Sequence, residues 1–202
     1  MRWLLSILDF SLLILNCSSY GRPPVGIAFY DVDRLYDTVP ALFYDDSDYT
    51  PEGRLRWTAA RYERKIRNTA AVIDSMALPI VALWGVENEQ VVRDLAAACR
   101  GDYSYLHRTL NSLDGMDFAL LYYGDLFYPV YDESGRGNVR SARKWQMRDR
   151  IWADTALRTS EGDVFARRYL VDQKSGNPLA TYSRGVYRGG YGYSLPVFVY
   201  IR

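Results

Sequence analysis

Asp31 and Asp33 follow directly on the β-forming run Val25-Gly26-Ile27-Ala28-Phe29-Tyr30, which sets two carboxylates at the C-terminal edge of a strand. Oxygen groups so placed suit a remnant cation or phosphate site, and they suit a solvated turn equally well. His107 is the single histidine, and a lone imidazole on a strand reads either as a hydrogen-bonded structural group or as an acid–base catalyst. Arg136, Arg140, Arg143, Lys144, Arg148 and Arg150 collect in one stretch with Tyr131 and Trp145 close by. Such groups grip phosphates while a ring stacks on a base, so Arg140, Arg143, Lys144 and Arg148 are candidates for phosphate or nucleic-acid binding. The interspersed Asp132, Glu133 and Asp149 also describe a solvated face. Tyr182, Tyr187, Tyr191 and Tyr193, spaced among glycines, offer a recognition surface or ordinary strand and turn packing.

The scaffold for these groups is a folded one. Of 202 residues, 49% are hydrophobic and 24% charged, which excludes disorder as the main state. A chain of this length buries roughly 70% of its unfolded surface, enough for one core, and a single domain is expected over residues 25–202. The formal net charge of +1 provides no global field toward nucleic acid or anionic lipid, so any such binding is local. Eighteen tyrosines favour a sheet-rich fold, because Tyr suits half-buried strands.

Residues 1–17 have one early positive charge and then an apolar run of signal-peptide length, too short and interrupted to span a bilayer, which needs about 20 apolar residues. The alternative is a short buried helix. Cys17 after Ile14-Leu15-Asn16 resembles a bacterial lipoprotein signal, which makes Cys17 a candidate lipidation site and implies an exported, periplasmic or membrane-anchored protein. Cys99, at helical spacing from Val92 and Leu95, reads as a small buried hydrophobe, and two cysteines indicate no disulfide framework.

In chain order, the pattern predicts a strand at 25–30 and a helix from Thr50-Pro51 onward. In that helix Tyr62, Ile66, Thr69, Ala70, Ile73 and Met76 form the core stripe, and Arg61, Glu63, Arg64 and Arg67 an outer basic side. A strand at 79–84 and the helix carrying Cys99 follow. Tyr103–Arg108 and Met116–Tyr123 read as a hairpin across the turn-rich 111–115. Further strands are expected at 145–155, 164–171, 180–183 and 195–201, with a loop between Val130 and Trp145.

Six blocks in order carry a family resemblance. Phe29-Tyr30-Asp31-Val32-Asp33-Arg34-Leu35-Tyr36-Asp37-Thr38 resembles F-Y-N-V-E-N-L-F-D-T. Thr50-Pro51 with Trp57, Tyr62 and Lys65 resembles an F-T-P-x-G…W…R-Y…K helix. Leu83-Trp84-Gly85-Val86-Glu87-Asn88 is similar to L-Q-E-V-E-N, and Gly115-Met116-Asp117-Phe118-Ala119-Leu120-Leu121-Tyr122 to G-I-D-V-A-L-L-Y. Trp145 to Ile151 resembles W-x-M-I-D-Q-I, and Thr181-Tyr182 with Gly189 to Val197 resembles T-Y…G-G-Y-S-D-H-L-P-V. These are blocks of bacterial proteins in the endonuclease/exonuclease/phosphatase family.

The resemblance implies an α/β fold of α+β type, two mixed sheets packed as a sandwich with outer helices, here shortened. It also implies divalent-metal-dependent cleavage of phosphate esters, with oxygen ligands for Mg²⁺. Carried over by position, Asp31 and Asp33 stand for the metal- and phosphate-positioning pair, and Asp117, Asp149 and His107 match family acids and a family His. The metal-binding Glu corresponds to Gly85, with Glu87 two residues on as a substitute that extended backbone would point to the same side. The closing Asp-His pair is replaced by Tyr193-Ser194, and the N-H-W-P-S and G-D-x-N segments are absent. Losing several members of one catalytic unit leaves little residual chemistry. The expected function is therefore a non-catalytic binding or structural component, with a protein partner covering the shortened sheet and nucleic acid or a phosphorylated ligand as further candidates. The alternative is a Mg²⁺-dependent nuclease or phosphoesterase with a rearranged acidic site, the only case in which Mg²⁺ is required.

Overall fold

The computed structural model describes residues 24–110, 112–127, 158–160 and 162–201. The leader expected at 1–17 with Cys17, the loop expected at 130–145 and the strand expected at 145–155 lie outside the described residues, as do Arg140, Arg143, Lys144, Arg148 and Asp149.

Eight strands and two helices are described: β1 (Val25–Leu35), α1 (Ala59–Met76), β2 (Ile80–Val86), α2 (Glu89–Ala98), β3 (Tyr103–Arg108), β4 (Asp117–Tyr123), β5 (Asp163–Val164), β6 (Tyr182–Ser183), β7 (Val186–Tyr187) and β8 (Val197–Ile201). They form a mixed six-stranded sheet in the order β3-β4-β2-β1-β8-β5 and a small two-stranded sheet, β6-β7. The expected mixed α/β architecture with two sheets is the one observed. β1 and β2 run parallel and are joined through α1, the long crossover that parallel strands need. The expected 103–123 hairpin is present as antiparallel β3 and β4.

Side-chain alternation sorts the central strands into two faces. Ala28, Tyr30, Val32, Val81, Leu83, Ala119 and Leu121 point to one side, where Ile66, Ala70, Ile73 and Met76 of α1 and Val91, Val92 and Leu95 of α2 pack on them. Phe29, Ile80, Ala82, Phe118 and Leu120 point to the other and form a second buried cluster. Asn88 caps α2, its side-chain oxygen accepting from Val91 N at 3.0 Å, and α1 ends at Ala77 in a left-handed conformation. Cys99, read as a small buried hydrophobe, is half-buried against the helix-side core, and burial pushes its thiol up to about 12.

Three local expectations are corrected. Thr50-Pro51 does not start α1; the helix begins at Ala59, and residues 50–57 make a turn in which Thr50 O accepts from Gly53 N and Trp57 N. Trp57 drives this turn, buried at the end of β1 with its indole N–H donating to Tyr36 O at 2.9 Å. The run 164–171 is not one strand but β5 followed by a 3-10 turn at Arg168–Leu170. The glycine-rich 185–192 contains a strand, β7, pinned to the Trp57 cluster because Tyr182 on its partner β6 donates to Leu55 O at 3.1 Å.

Candidate functional site

Parallel pairing of β1 with β2 brings both C-terminal ends to one edge of the sheet, and antiparallel β4 begins at that same edge. Asp31, Asp33, Gly85, Glu87 and Asp117 therefore meet there although they are far apart in sequence. The edge is irregular. Asp31 pairs with Trp84 and Leu35 with Val86, so β1 carries two more residues than β2 over this step. Asp33 and Arg34 lie inside the bulge with φ of 59° and 53°, a left-handed conformation that costs an L-residue about 1–2 kcal/mol. Gly85, at φ 89°, is in turn the extra residue of β2 against β4. Bulges re-aim side chains beside functional sites, and here they bend Asp31 back so that its Oδ1 accepts from Asp33 N at 2.9 Å.

Position 85 faces this turn. A β-carbon built on Gly85 would stand 3.4 Å from Asp31 Oδ1 and 3.3 Å from Arg34 N. The place from which the resemblance expects a metal-binding Glu thus adjoins Asp31 and carries no side chain.

Lys65 reaches Asp33 from α1. It is 1% exposed, and its Nζ donates to Thr181 Oγ1 at 2.5 Å and to Tyr191 O at 2.7 Å. Thr181 in turn donates its backbone N–H and its hydroxyl to the carboxylate of Asp33, which is 9% exposed. One hydroxyl thereby accepts from the ammonium and donates to the carboxylate. Burial pushes Asp33 up to about 6 against the pull of Lys65, and burial pushes Lys65 down to about 8 against the pull of Asp33 and Asp31. Near neutral pH the two form a buried ion pair bridged by Thr181. The C-terminal segment closes over it: a β-carbon on Gly192 would lie 3.2 Å from Asp31 O.

Glu87, 3% exposed, turns toward the 37–44 loop. Its Oε2 accepts from Asp37 N at 2.6 Å and its Oε1 from the Tyr44 hydroxyl at 2.8 Å, and burial pushes its carboxyl up to about 7. The Asn88 amide donates to Asp37 Oδ2 at 2.9 Å, completing the anchorage of that loop. Asp117 and His107 make a separate pair: His107 Nε2 lies 3.0 Å from Asp117 Oδ2, while Asp117 Oδ1 accepts from Leu110 N at 2.9 Å. Asp117 thus joins β4 to the end of β3. Tyr193 is 53% exposed with its hydroxyl donating to Tyr182 O at 3.0 Å, and the Ser194 hydroxyl is buried without a hydrogen-bond partner among the described residues.

Of the candidate residues, Asp31 and Asp33 share one turn, Glu87 serves the adjoining loop, and His107 and Asp117 pair with each other. Residues not singled out as a site, Thr181 and, across its hydroxyl, Lys65, are the ones that serve Asp33. A signal for Lys65 was present: it falls on the core side of the helix stripe, between Tyr62 and Thr69, where a lysine needs a buried partner. Thr181 carries no burial signal of that kind and stands out only through the Thr181-Tyr182 block.

Among the described residues no group of three or more His, Cys, Asp or Glu is arranged to hold a metal ion. Position 85 offers no ligand, both oxygens of Glu87 are committed to the loop, and the cation serving Asp33 is an ammonium. This donor set does not fit a resident Mg²⁺ ion.

No curated protein and no solved structure matches the chain significantly. The family model described as Endonuclease/Exonuclease/phosphatase family matches residues 26–161, more than half of the chain, over the same strands and helices that build this sheet edge. The chain belongs to the endonuclease/exonuclease/phosphatase family.

Proposed function

We propose that this protein is a non-catalytic binding component built on an endonuclease/exonuclease/phosphatase fold. The observation that supports the reading is the buried Lys65 ammonium bridged to Asp33 through Thr181, beside a glycine at the position from which a metal-binding carboxylate would project. A fixed ammonium there neutralises the carboxylate that a divalent cation would need, and it is held too deeply to leave. Among the described residues, Asp33 and Glu87, the acids that would serve phosphoryl transfer here, are engaged by other protein groups. The leader at 1–17, outside the described residues, supports a proposed place in the cell envelope.

The test is purified full-length protein with Mg²⁺ or Mn²⁺ against plasmid DNA, RNA and a phosphodiester dye. The expected result is no turnover above the metal-only blank. Metal-dependent turnover that disappears in Asp33→Ala would overturn the reading in favour of a phosphoesterase with a rearranged site.

A further inference from the structure

Two loops meet beside the sheet edge and hold apolar side chains in water. The 37–44 loop follows β1, and the turn at 112–115 precedes β4. Tyr36 donates its hydroxyl to Asp114 O at 2.6 Å, and the Tyr44 ring lies so close against Gly115 that no room is left for a β-carbon there. Carboxylates tie down the backbone of the 37–44 loop. Asp37 Oδ1 accepts from Val39 N at 2.6 Å and Asp46 Oδ2 from Ala41 N at 3.1 Å, while Glu87 holds Asp37 N and the Tyr44 hydroxyl. On this fixed frame Leu42 is 89% exposed, Phe43 93% and Val39 66%, and Leu113 in the neighbouring turn is 99% exposed. A groove of about 270 Å³ opens beside Phe43, with Pro40, Leu42 and Tyr44 as apolar walls and Asp37 in its lining. Single exposed apolar residues are ordinary, whereas four on two interlocked loops beside such a groove mark an interaction surface.

Charge decides what covers it. From Asp37 to Asp48 the sequence holds four Asp and no Lys or Arg. Arg54 offsets Asp48 and Arg34 offsets Asp114, but no ion pair among the described residues engages Asp37, Asp45, Asp46 or Glu87. A second copy would set these carboxylates against their own images across a two-fold axis, and they would repel an anionic membrane. A segment bearing Lys or Arg beside apolar side chains matches both the apolar tips and the acids.

We propose that the 37–44 loop and the 112–115 turn dock a basic, amphipathic segment of a partner protein. Leu42 and Phe43 are the anchors that leave water on docking, and Asp37 and Asp45 set the sign and register of what is accepted. The inference rests on the binding role proposed above and names the chemistry of the partner. The two readings fail separately, because docking is measured without any turnover: hydrolysis would overturn the non-catalytic role, and loss of docking would not restore catalysis.

The experiment is fluorescence anisotropy of a labelled peptide of leucine and lysine, its leucines at helical spacing, titrated with the full-length protein. The same peptide with glutamate in place of lysine is the control. The lysine peptide should bind and the glutamate peptide should not. Leu42→Ser with Phe43→Ser should weaken binding at least about tenfold. Asp45→Asn, which keeps an acceptor for Ser47 N, should weaken it by about two- to fivefold. Leu126→Ser, at an exposed apolar position beyond the opposite end of β4, should leave it unchanged. Every substituted side chain is exposed, so circular dichroism melting of each variant should match the parent. Failure of the lysine peptide to bind, equal binding of the glutamate peptide, or undiminished binding by the folded Leu42/Phe43 variant would overturn the proposal. So would sedimentation with phosphatidylserine vesicles, or a dimer in analytical ultracentrifugation, that this variant abolishes, since either result assigns the face to another occupant.

Discussion

The Lys65 ammonium donates to the Thr181 hydroxyl at 2.5 Å across 116 positions of sequence, and it is this contact that couples α1 to the C-terminal segment. The same hydroxyl serves Asp33 on β1, so three elements converge on one oxygen. A buried charge is tolerated only with a partner and satisfied hydrogen bonds, and Lys65 has both.

Removal of either charge should therefore be worse than removal of both. Lys65→Met leaves the Asp33 carboxylate buried without its cation and is expected to cost about 3–5 kcal/mol. Lys65→Met combined with Asp33→Asn should recover a large part of that loss. Urea unfolding of the two single variants and the double variant measures the coupling; additive losses would mean that the two residues do not stabilise each other.

The pH dependence of stability follows from three buried groups. Asp33 rises from 3.8 to about 6 and Glu87 from 4.5 to about 7. The folded state thus holds these protons where the unfolded chain has released them, and stability falls as pH rises from about 4 to about 7. Lys65, lowered from 10.5 to about 8, is deprotonated in the folded state while the unfolded chain keeps its proton, so its contribution increases from pH 8 to 10.5. These groups place a stability minimum at about pH 7–8. Each contributes a slope of at most about 1.4 kcal/mol per pH unit. Thermal melts from pH 4 to 10 check the curve, and Glu87→Gln, which keeps an acceptor for Asp37 N, should flatten the part between 4.5 and about 7.

Gly85→Ala should destabilise the fold by about 1–2 kcal/mol, because φ of 89° is unfavourable for a side chain and its β-carbon would press within 3.3 Å of Arg34 N. Chemical denaturation measures this. A neutral outcome would mean that the bulge relaxes without cost.

Asp117→Ala removes the acceptor of both His107 Nε2 and Leu110 N. The expected loss is about 2–3 kcal/mol, from leaving partners unsatisfied at a largely buried position. His107→Gln, which retains a donor, should cost less than half as much in the same unfolding measurement. A larger loss from His107→Gln than from Asp117→Ala would show that the imidazole has a role beyond this pair.

The order of elements was legible in the sequence, since helical and strand periodicities are local. The stripe from Tyr62 to Met76 predicts α1 with its arginines outward, and the run 25–30 marks the first strand, which continues through the acidic turn to Leu35. The six motif blocks carried the family, and its description matches most of the same stretch. Where local signals misled, a long-range contact had prevailed: Thr50-Pro51 has the chemistry of a helix start, yet burial of Trp57 against Tyr36 holds the following residues in a turn.

By itself, then, the sequence determined an α/β fold, its family, and the glycine at position 85 and the Tyr193-Ser194 pair, because each of these is written in residue identity or short spacing. Only the tertiary structure decided what Asp33 and Glu87 do. Two bulges, at Asp33–Arg34 and at Gly85, set which way the acids of the sheet edge point, and bulges depend on register between strands that lie some thirty to fifty residues apart. The Lys65–Thr181–Asp33 cluster and the apolar face of the 37–44 loop and the 112–115 turn arise in the same way. The first joins segments 116 residues apart and the second segments 78 residues apart, and burial and charge are properties of the place where such segments meet.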